Sequence, residues 1–343
     1  MSFPILENVA KSARHTTFYL SCGAGSGTPI VFVHGWPELS ISWRAQLPAF
    51  AALGFRGIAP DMRGYGRSSV HPRHEDYALE EIVADMAELL AALGAEKAIW
   101  VGHDWGAPVV WSIAQHHPDL CHGVANLCVP YIPEGFAVET VVPLADRTVY
   151  PGERFTAAQW DYQMFYRESF AAAVAGFERD PGRAIRALFR AGDPSGKGKP
   201  ARTAFVRANG GYFGPGGKPA PDPPRDPAVL DEEGERRYVS ALERNGFFGP
   251  CSWYMNWKAN LAYAARARAN WRLEMPVLFL HAEYDYICET IVSRLAEPMR
   301  AYCANLTEAT IPSGHWMAQE KPVEVNAALA KWAGSQFPTL WAV

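Results

Sequence analysis

Short runs of β-branched and aromatic residues alternate with helix-period patterns in two stretches, Pro29 to Leu127 and Pro276 to the end of the chain. Strands that alternate with helices in this way build a parallel sheet with helices packed on its faces, an α/β architecture. The strands read as Pro29–His34, Arg56–Asp61, Ala98–Gly102, Gly123–Cys128, Pro276–Ala282 and Leu306–Ile311. Most are apolar nearly throughout, as strands covered on both faces must be; Leu306–Ile311 is more polar and is expected nearer an edge. Between strands, Leu79, Ile82, Val83, Met86, Leu90 and Leu93 recur at helical spacing, and Gly94 supplies a left-handed stop. A second amphipathic stripe, Val325, Leu329 and Trp332, follows Pro322, a residue suited to a helix start.

The middle of the chain breaks the alternation. From residue 131 to 268 the pattern is mostly helical and rich in Tyr, Trp, Phe and Arg. This predicts three units: a first core part over 1–130, an inserted helical cap over 131–268, and a second core part over 269–343. Within the insert, Gly192–Pro227 carries eight Gly and eight Pro in 36 residues, which excludes regular structure and predicts a long surface loop. A lid edge and a passive connector both stay open for it.

Composition narrows the function. With 343 residues, 49% of them hydrophobic, the chain can bury an extensive core. Its net charge of −4 argues against nucleic acid or an anionic membrane surface as a partner, and a small uncharged ligand is expected. No run of eighteen apolar residues predicts membrane insertion. The six cysteines are scattered without a CxxC pair, so no zinc or redox couple is expected, and reduced thiols in a cytoplasmic protein are. Neither GxGxxG nor GxxxxGK[ST] occurs, and no cofactor is expected. A homodimer is left open.

The strand Ala98–Gly102 runs into Gly102-His103-Asp104-Trp105-Gly106 and then a helix pattern. A nucleophile raised on such a strained turn crowds the neighbouring backbone, so small residues are needed two positions to either side. Asp104 stands where esterases place Ser, and the chain has no GxSxG. As a bare pentapeptide, G-x-D-x-G reads equally as an Asx turn before a helix. The context decides. After Asp104, an acid following a late strand (Asp285) and a His following the last strand (His315) complete the order nucleophile, acid, base. A carboxylate held in line with an electrophilic carbon forms an ester, and His315, oriented by Asp285, would deprotonate the water that hydrolyses it. That hydrolysis passes through an oxyanion. Two backbone N–H groups would receive it, Trp105 after the nucleophile and Trp36 in His34-Gly35-Trp36-Pro37. His34 reads as either an organiser of this loop or a satisfied buried histidine.

Together with Asp61-Met62-Arg63-Gly64-Tyr65-Gly66-Arg67-Ser68 and Ser313-Gly314-His315-Trp316, these motifs make the chain resemble, over nearly its whole length, the soluble epoxide hydrolases of the α/β-hydrolase fold. The resemblance implies a mostly parallel sheet flanked by helices, with an inserted helical cap. It also implies a cofactor-free enzyme that adds water to a small apolar epoxide to give a vicinal diol. In that family two cap tyrosines hold and protonate the epoxide oxygen. The contexts Trp160-Asp161-Tyr162-Gln163 and Gly249-Pro250-Cys251-Ser252-Trp253-Tyr254 carry these roles onto Tyr162 and Tyr254. Phe165, Trp160, Trp253, Pro37 and His34, with Trp36 and Trp105, are the expected walls of the pocket.

A haloalkane dehalogenase would share the Asp nucleophile and the His base, but would stabilise a halide with N–H donors rather than phenols. The paired tyrosine contexts favour the epoxide. A non-catalytic binding protein on the same fold could dispense with parts of the triad, and none is missing.

Overall fold

The computed structural model describes residues 3–215 and 218–340. The apolar runs become the middle of an eight-stranded sheet made of β1 (Leu6–Lys11), β2 (Thr16–Cys22), β3 (Pro29–Val33), β4 (Arg56–Pro60), β5 (Ala98–His103), β6 (Cys121–Leu127), β7 (Leu273–Ala282) and β8 (Cys303–Ile311). Their order across the sheet is β1-β2-β4-β3-β5-β6-β7-β8. β2 runs antiparallel to both β1 and β4, and every other neighbouring pair is parallel. β3 and β5 lie side by side at the centre and are buried along their whole length. β8 closes one edge, and its largely exposed or half-buried residues account for its polar sequence.

Two features were not legible. β1 and β2 precede the region where the alternation is clear; β1 is a mostly exposed edge strand, so nothing selected a buried face in its sequence. β7 also begins three residues before Pro276. The irregular pairing between Leu273 and Pro276 accommodates a residue with no N–H to give to the ladder. The helices behave as their stripes require. Leu79–Ala92 buries Leu79, Ile82, Val83, Met86 and Leu90, and Gly94 takes φ +71° beyond its end. Pro322–Gln336 buries Val325, Leu329 and Trp332. Among the described residues no helix is long and apolar enough to cross a membrane.

Between β6 and β7 the chain forms helices over Asp161–Glu178, Pro181–Leu188, Glu232–Asn245 and Trp257–Ala264. The Gly/Pro-rich stretch inside this insert is not a passive surface connector. Apart from Gly216 and Gly217, which lie outside the described residues, it is packed: two short 3-10 turns form in it, and Thr203, Ala204, Val206 and Ala220 are buried. Its first residue is tied to the core. The Glu320 carboxylate accepts hydrogen bonds from the N–H groups of Gly192 (3.1 Å) and Gly314 (2.8 Å), one on the insert and one beside His315.

Candidate active site

In a parallel α/β sheet the strand C-termini gather along one edge, and side chains placed just beyond them converge. Trp36 follows β3, Asp104 follows β5, Asp285 follows β7 and His315 follows β8, so four distant parts of the sequence meet at one edge. Asp104 has φ +49°, in the left-handed region that a non-glycine residue enters only when its surroundings force it. The flanking glycines make that turn fit. A Cβ on Gly102 would lie 2.6 Å from the Gly106 carbonyl oxygen, and one on Gly106 would lie 2.8 Å from that of His34.

The Asp104 carboxylate is held from two sides. Oδ1 accepts the Trp36 N–H at 2.6 Å, and Oδ2 lies 3.3 Å from His315 Nε2. The Trp105 N–H, the second expected donor, makes no hydrogen bond among the described residues; a Cβ on Gly35 would sit 2.7 Å from that nitrogen and also against Asp104 Oδ1, so it borders the same spot. His315 Nδ1 meets Asp285 Oδ2 at 2.7 Å, while Asp285 Oδ1 accepts the N–H groups of Ile287 (3.0 Å) and Cys288 (3.1 Å). With a carboxylate at each ring nitrogen, His315 must donate from both. Burial opposes its charge, but Asp285 and Asp104 outweigh burial and hold its pKa well above the usual histidine value. Burial likewise pushes Asp285 up, and the nearby His315 brings it below the usual carboxylate value.

A second buried couple lies behind the first. His103, next to Asp104, meets Glu38 Oε2 at 2.8 Å and the His315 carbonyl oxygen at 2.7 Å, both acceptors, so it too is charged. The same Glu38 oxygen accepts the Gly35 N–H at 2.9 Å. One ion pair therefore ties the Trp36 loop, the Asp104 turn and the His315 loop together. Burial opposes the charge on each partner, but each outweighs it for the other: Glu38 is brought down to about 2, and His103 is raised well above its usual value. Sequence reasoning missed this pair; the acid four residues after His34 and the His before Asp104 were its only signal.

The insert brings the phenols. Tyr162 is the second residue of the helix Asp161–Glu178, and Tyr254 lies in the turn after Phe248–Ser252, with ring centroids 5.6 Å apart. Tyr254 also packs edge-on against Trp105 (5.2 Å) and flat against Tyr166 (4.4 Å). Burial, with Asp104 nearby, raises both phenols above the usual tyrosine value and keeps them protonated. The Asp61–Ser68 motif is the seat of this segment. The Trp253 indole donates to the Arg63 carbonyl at 3.1 Å, and Gly249 faces Gly64 so closely that a Cβ on Gly249 would sit 3.1 Å from the Gly64 Cα. The motif is itself fixed by a two-pronged Arg63–Asp85 ion pair, 2.7 Å at each prong, and by Asp61 accepting the N–H groups of Ser40 and Arg67.

A cavity of about 750 Å³ lies between sheet edge and insert, lined by Asp104, Trp36, Tyr162, Tyr254, Asp285 and His315 among others. Several expected walls are elsewhere. Trp160 and Trp253 are fully buried in packing, Phe165 and Pro37 do not reach the cavity, and Trp105 stands behind Tyr254. His34 is sealed in the core, with Nδ1 at 2.9 Å from the Gly35 carbonyl and Nε2 accepting the Met62 N–H, so it organises the loop and meets no ligand. The walls that replace them are Tyr212, Arg202 and Thr203 of the Gly/Pro-rich stretch, together with Leu188, Ile287 and Trp316. His103, Cys128 and His315 lie close enough to share a metal ion, but their donors are in use: His103 Nε2 and Cys128 Sγ both point at the His315 carbonyl, and both His315 ring nitrogens face carboxylates.

A family profile described as alpha/beta hydrolase fold matches residues 28–322. Epoxide hydrolase A of Mycobacterium tuberculosis is 35% identical over 309 residues, covering 89% of this chain and 90% of that protein. The bifunctional epoxide hydrolase 2 of Sus scrofa is 33% identical over 90% of this chain, which spans about half, 52%, of that longer protein. Among solved structures, epoxide hydrolase A of Mycobacterium thermoresistibile superposes with a TM-score of 0.77 at 29% identity, covering 96% of this chain and 98% of that one. The chain belongs to the epoxide hydrolases of the α/β-hydrolase fold.

Proposed function

We propose that the chain adds water to an apolar epoxide through an ester on Asp104. The carrying observation is that one cavity holds a carboxylate gripped by a backbone N–H, an imidazole facing that carboxylate, and two phenols from the insert. In this reading Oδ2 attacks a ring carbon from behind, the carbon–oxygen bond of the ring breaks, and Tyr162 or Tyr254 gives its proton to the departing oxygen. Oδ1 stays on the Trp36 N–H and becomes the ester carbonyl.

Esterification switches on the second step. Asp104 loses its charge, so one of the two carboxylates holding the proton on His315 is gone; that proton passes to the phenolate and leaves a neutral base. His315, still oriented by Asp285, then takes a proton from water as the hydroxide adds to the ester carbon. The oxyanion on Oδ1 meets the N–H groups of Trp36 and Trp105. Collapse expels the alkoxide, which takes the proton back from His315, and the acid proton on Asp104 returns to His315. The sum is epoxide plus water to vicinal diol.

The segment 131–268 acts here as the cap. Six free, buried cysteines support a reducing, cytoplasmic setting. Every group in the scheme comes from one chain, so a homodimer is not required. The test is His315→Gln with styrene oxide: intact-protein mass spectrometry should find an adduct heavier by the whole substrate, carried on Asp104. A variant that stays unmodified while the native enzyme turns over would overturn the ester route.

A further inference from the structure

Asp285 aims the His315 ring, but the ring is placed no better than the backbone that carries it. On one side the His315 carbonyl oxygen is held by His103 and Cys128. On the other, the preceding residue is held by a side chain that the scheme above leaves unused. Glu320 closes the turn after Trp316, with its N–H on the Trp316 carbonyl at 2.9 Å, and its side chain reaches back to Gly314. A single carboxylate oxygen, Oε2, accepts both the Gly314 N–H at 2.8 Å and the Gly192 N–H at 3.1 Å. The two glycines meet backbone to backbone: a Cβ on Gly192 would lie 2.8 Å from the Gly314 Cα, and one on Gly314 would lie 2.7 Å from the Gly192 Cα.

Two more contacts run along the same seam. The Trp316 indole donates to the Leu188 carbonyl at 2.8 Å, and its ring lies flat on Phe189 with centroids 4.1 Å apart. Leu188, Ala191 and Gly192 on the insert side and Gly314, His315 and Trp316 on the core side all line the cavity, so the seam is part of its wall. We propose that Glu320 is a positioning residue for His315, locking the loop of the base to the insert, and that it therefore governs ester hydrolysis and leaves ester formation alone. The inference rests on the ester scheme. Attack on the epoxide uses Asp104, the Trp36 N–H and the two phenols, and the Glu320 carboxylate bonds to none of them. Hydrolysis requires the imidazole to set a water against the ester carbon, and a misplacement of about 1 Å slows such a step by up to about a hundredfold. A carboxylate suits the task because a charged acceptor holds an N–H more strongly than a neutral one.

The test follows both steps with styrene oxide in the full-length protein, by rapid quench and intact-protein mass spectrometry. Glu320→Ala should slow ester hydrolysis by about 10- to 100-fold and leave ester formation within about threefold of native, so that kcat and KM fall together and the ester accumulates on Asp104. Glu320→Gln keeps an oxygen for both N–H groups and should return hydrolysis to within about threefold of native. Gly192→Ala leaves Glu320 in place but wedges the seam open from the insert side, and should slow hydrolysis as Glu320→Ala does; it carries the test if Glu320→Ala fails to fold. Equal slowing of both steps, slowing of neither, or a Gln variant no faster than the Ala variant would overturn the proposal, while an adduct on His315→Gln keeps the ester scheme standing. No adduct on His315→Gln overturns the scheme and this proposal with it.

Discussion

The sheet edge and the helical insert contribute to one cavity in different ways. At the sheet edge, each chemical group follows a strand, is held by backbone N–H groups or a buried ion pair, and sits in a position the local sequence dictates. In the insert, the groups are aromatic rings wedged against one another: Tyr162, Tyr254, Tyr166 and Tyr212 make ring contacts between 4.4 and 6.3 Å, with few hydrogen bonds between them. Charge is fixed by the core, and shape is set by the insert. The division predicts that core substitutions stop the chemistry, whereas insert substitutions slow one step or alter which epoxides fit.

The largest effect is expected for Asp104→Ala, which should lower diol formation by about four orders of magnitude or more, measured by gas chromatography with styrene oxide. Residual turnover within about a hundredfold of native would mean that water attacks the epoxide directly and that the core's part is only electrostatic. Tyr162→Phe and Tyr254→Phe come next. Each should slow ester formation by about 10- to 1,000-fold in single-turnover experiments while leaving ester hydrolysis nearly unchanged. Equal slowing of both steps would erase the boundary between the two regions.

Glu38→Gln tests whether the core's charges also carry its stability. Removing one member of a buried ion pair costs about 3 kcal/mol. Glu38 has a folded pKa of about 2 against an ordinary 4.5, so its contribution is present above 4.5 and is lost as pH falls toward 2. His103 is raised above 6.5, so its contribution is present below 6.5 and is lost as pH rises through the raised value. The difference in denaturation midpoint between native protein and variant should therefore be widest from about pH 4.5 to 6.5 and narrow on either side. A difference that does not change with pH would mean Glu38 acts through packing alone.

The same division explains what could be read in advance. That Asp104, Asp285 and His315 meet at one sheet edge is legible because strand ends are local signals and the order of the three types is fixed by the sheet. Trp36 was legible from its loop. Tyr162 and Tyr254 came only from a resemblance in their flanking residues, since a tyrosine on a helix does not announce which neighbour it faces. The missed and misplaced residues share that cause. Trp160 and Trp253 are large and sit beside the tyrosines in sequence, yet their rings turn into packing. Tyr212 lies in a stretch whose glycines and prolines signal only the absence of regular structure. Glu38 and His103 carry no such signal, because a buried ion pair depends on a loop meeting the end of a distant strand, which no spacing within either segment encodes.

Tyr212 provides the smallest and most discriminating test. Its ring stands 5.0 Å from Phe177, 5.9 Å from Tyr162 and 6.3 Å from Trp36 by centroid, in the cavity wall opposite the sheet edge. If the insert acts through shape, Tyr212→Ala removes contact area without touching a proton or a charge. The KM for styrene oxide should then rise roughly fivefold with kcat nearly unchanged, because substrate and transition state lose the same contact. A bulkier epoxide such as stilbene oxide should gain by comparison, since the vacated space admits its second ring. If instead Tyr212→Ala lowers kcat as far as Tyr162→Phe does, then a third phenol takes part in the chemistry. The line between charge from the core and shape from the insert would then have to be redrawn.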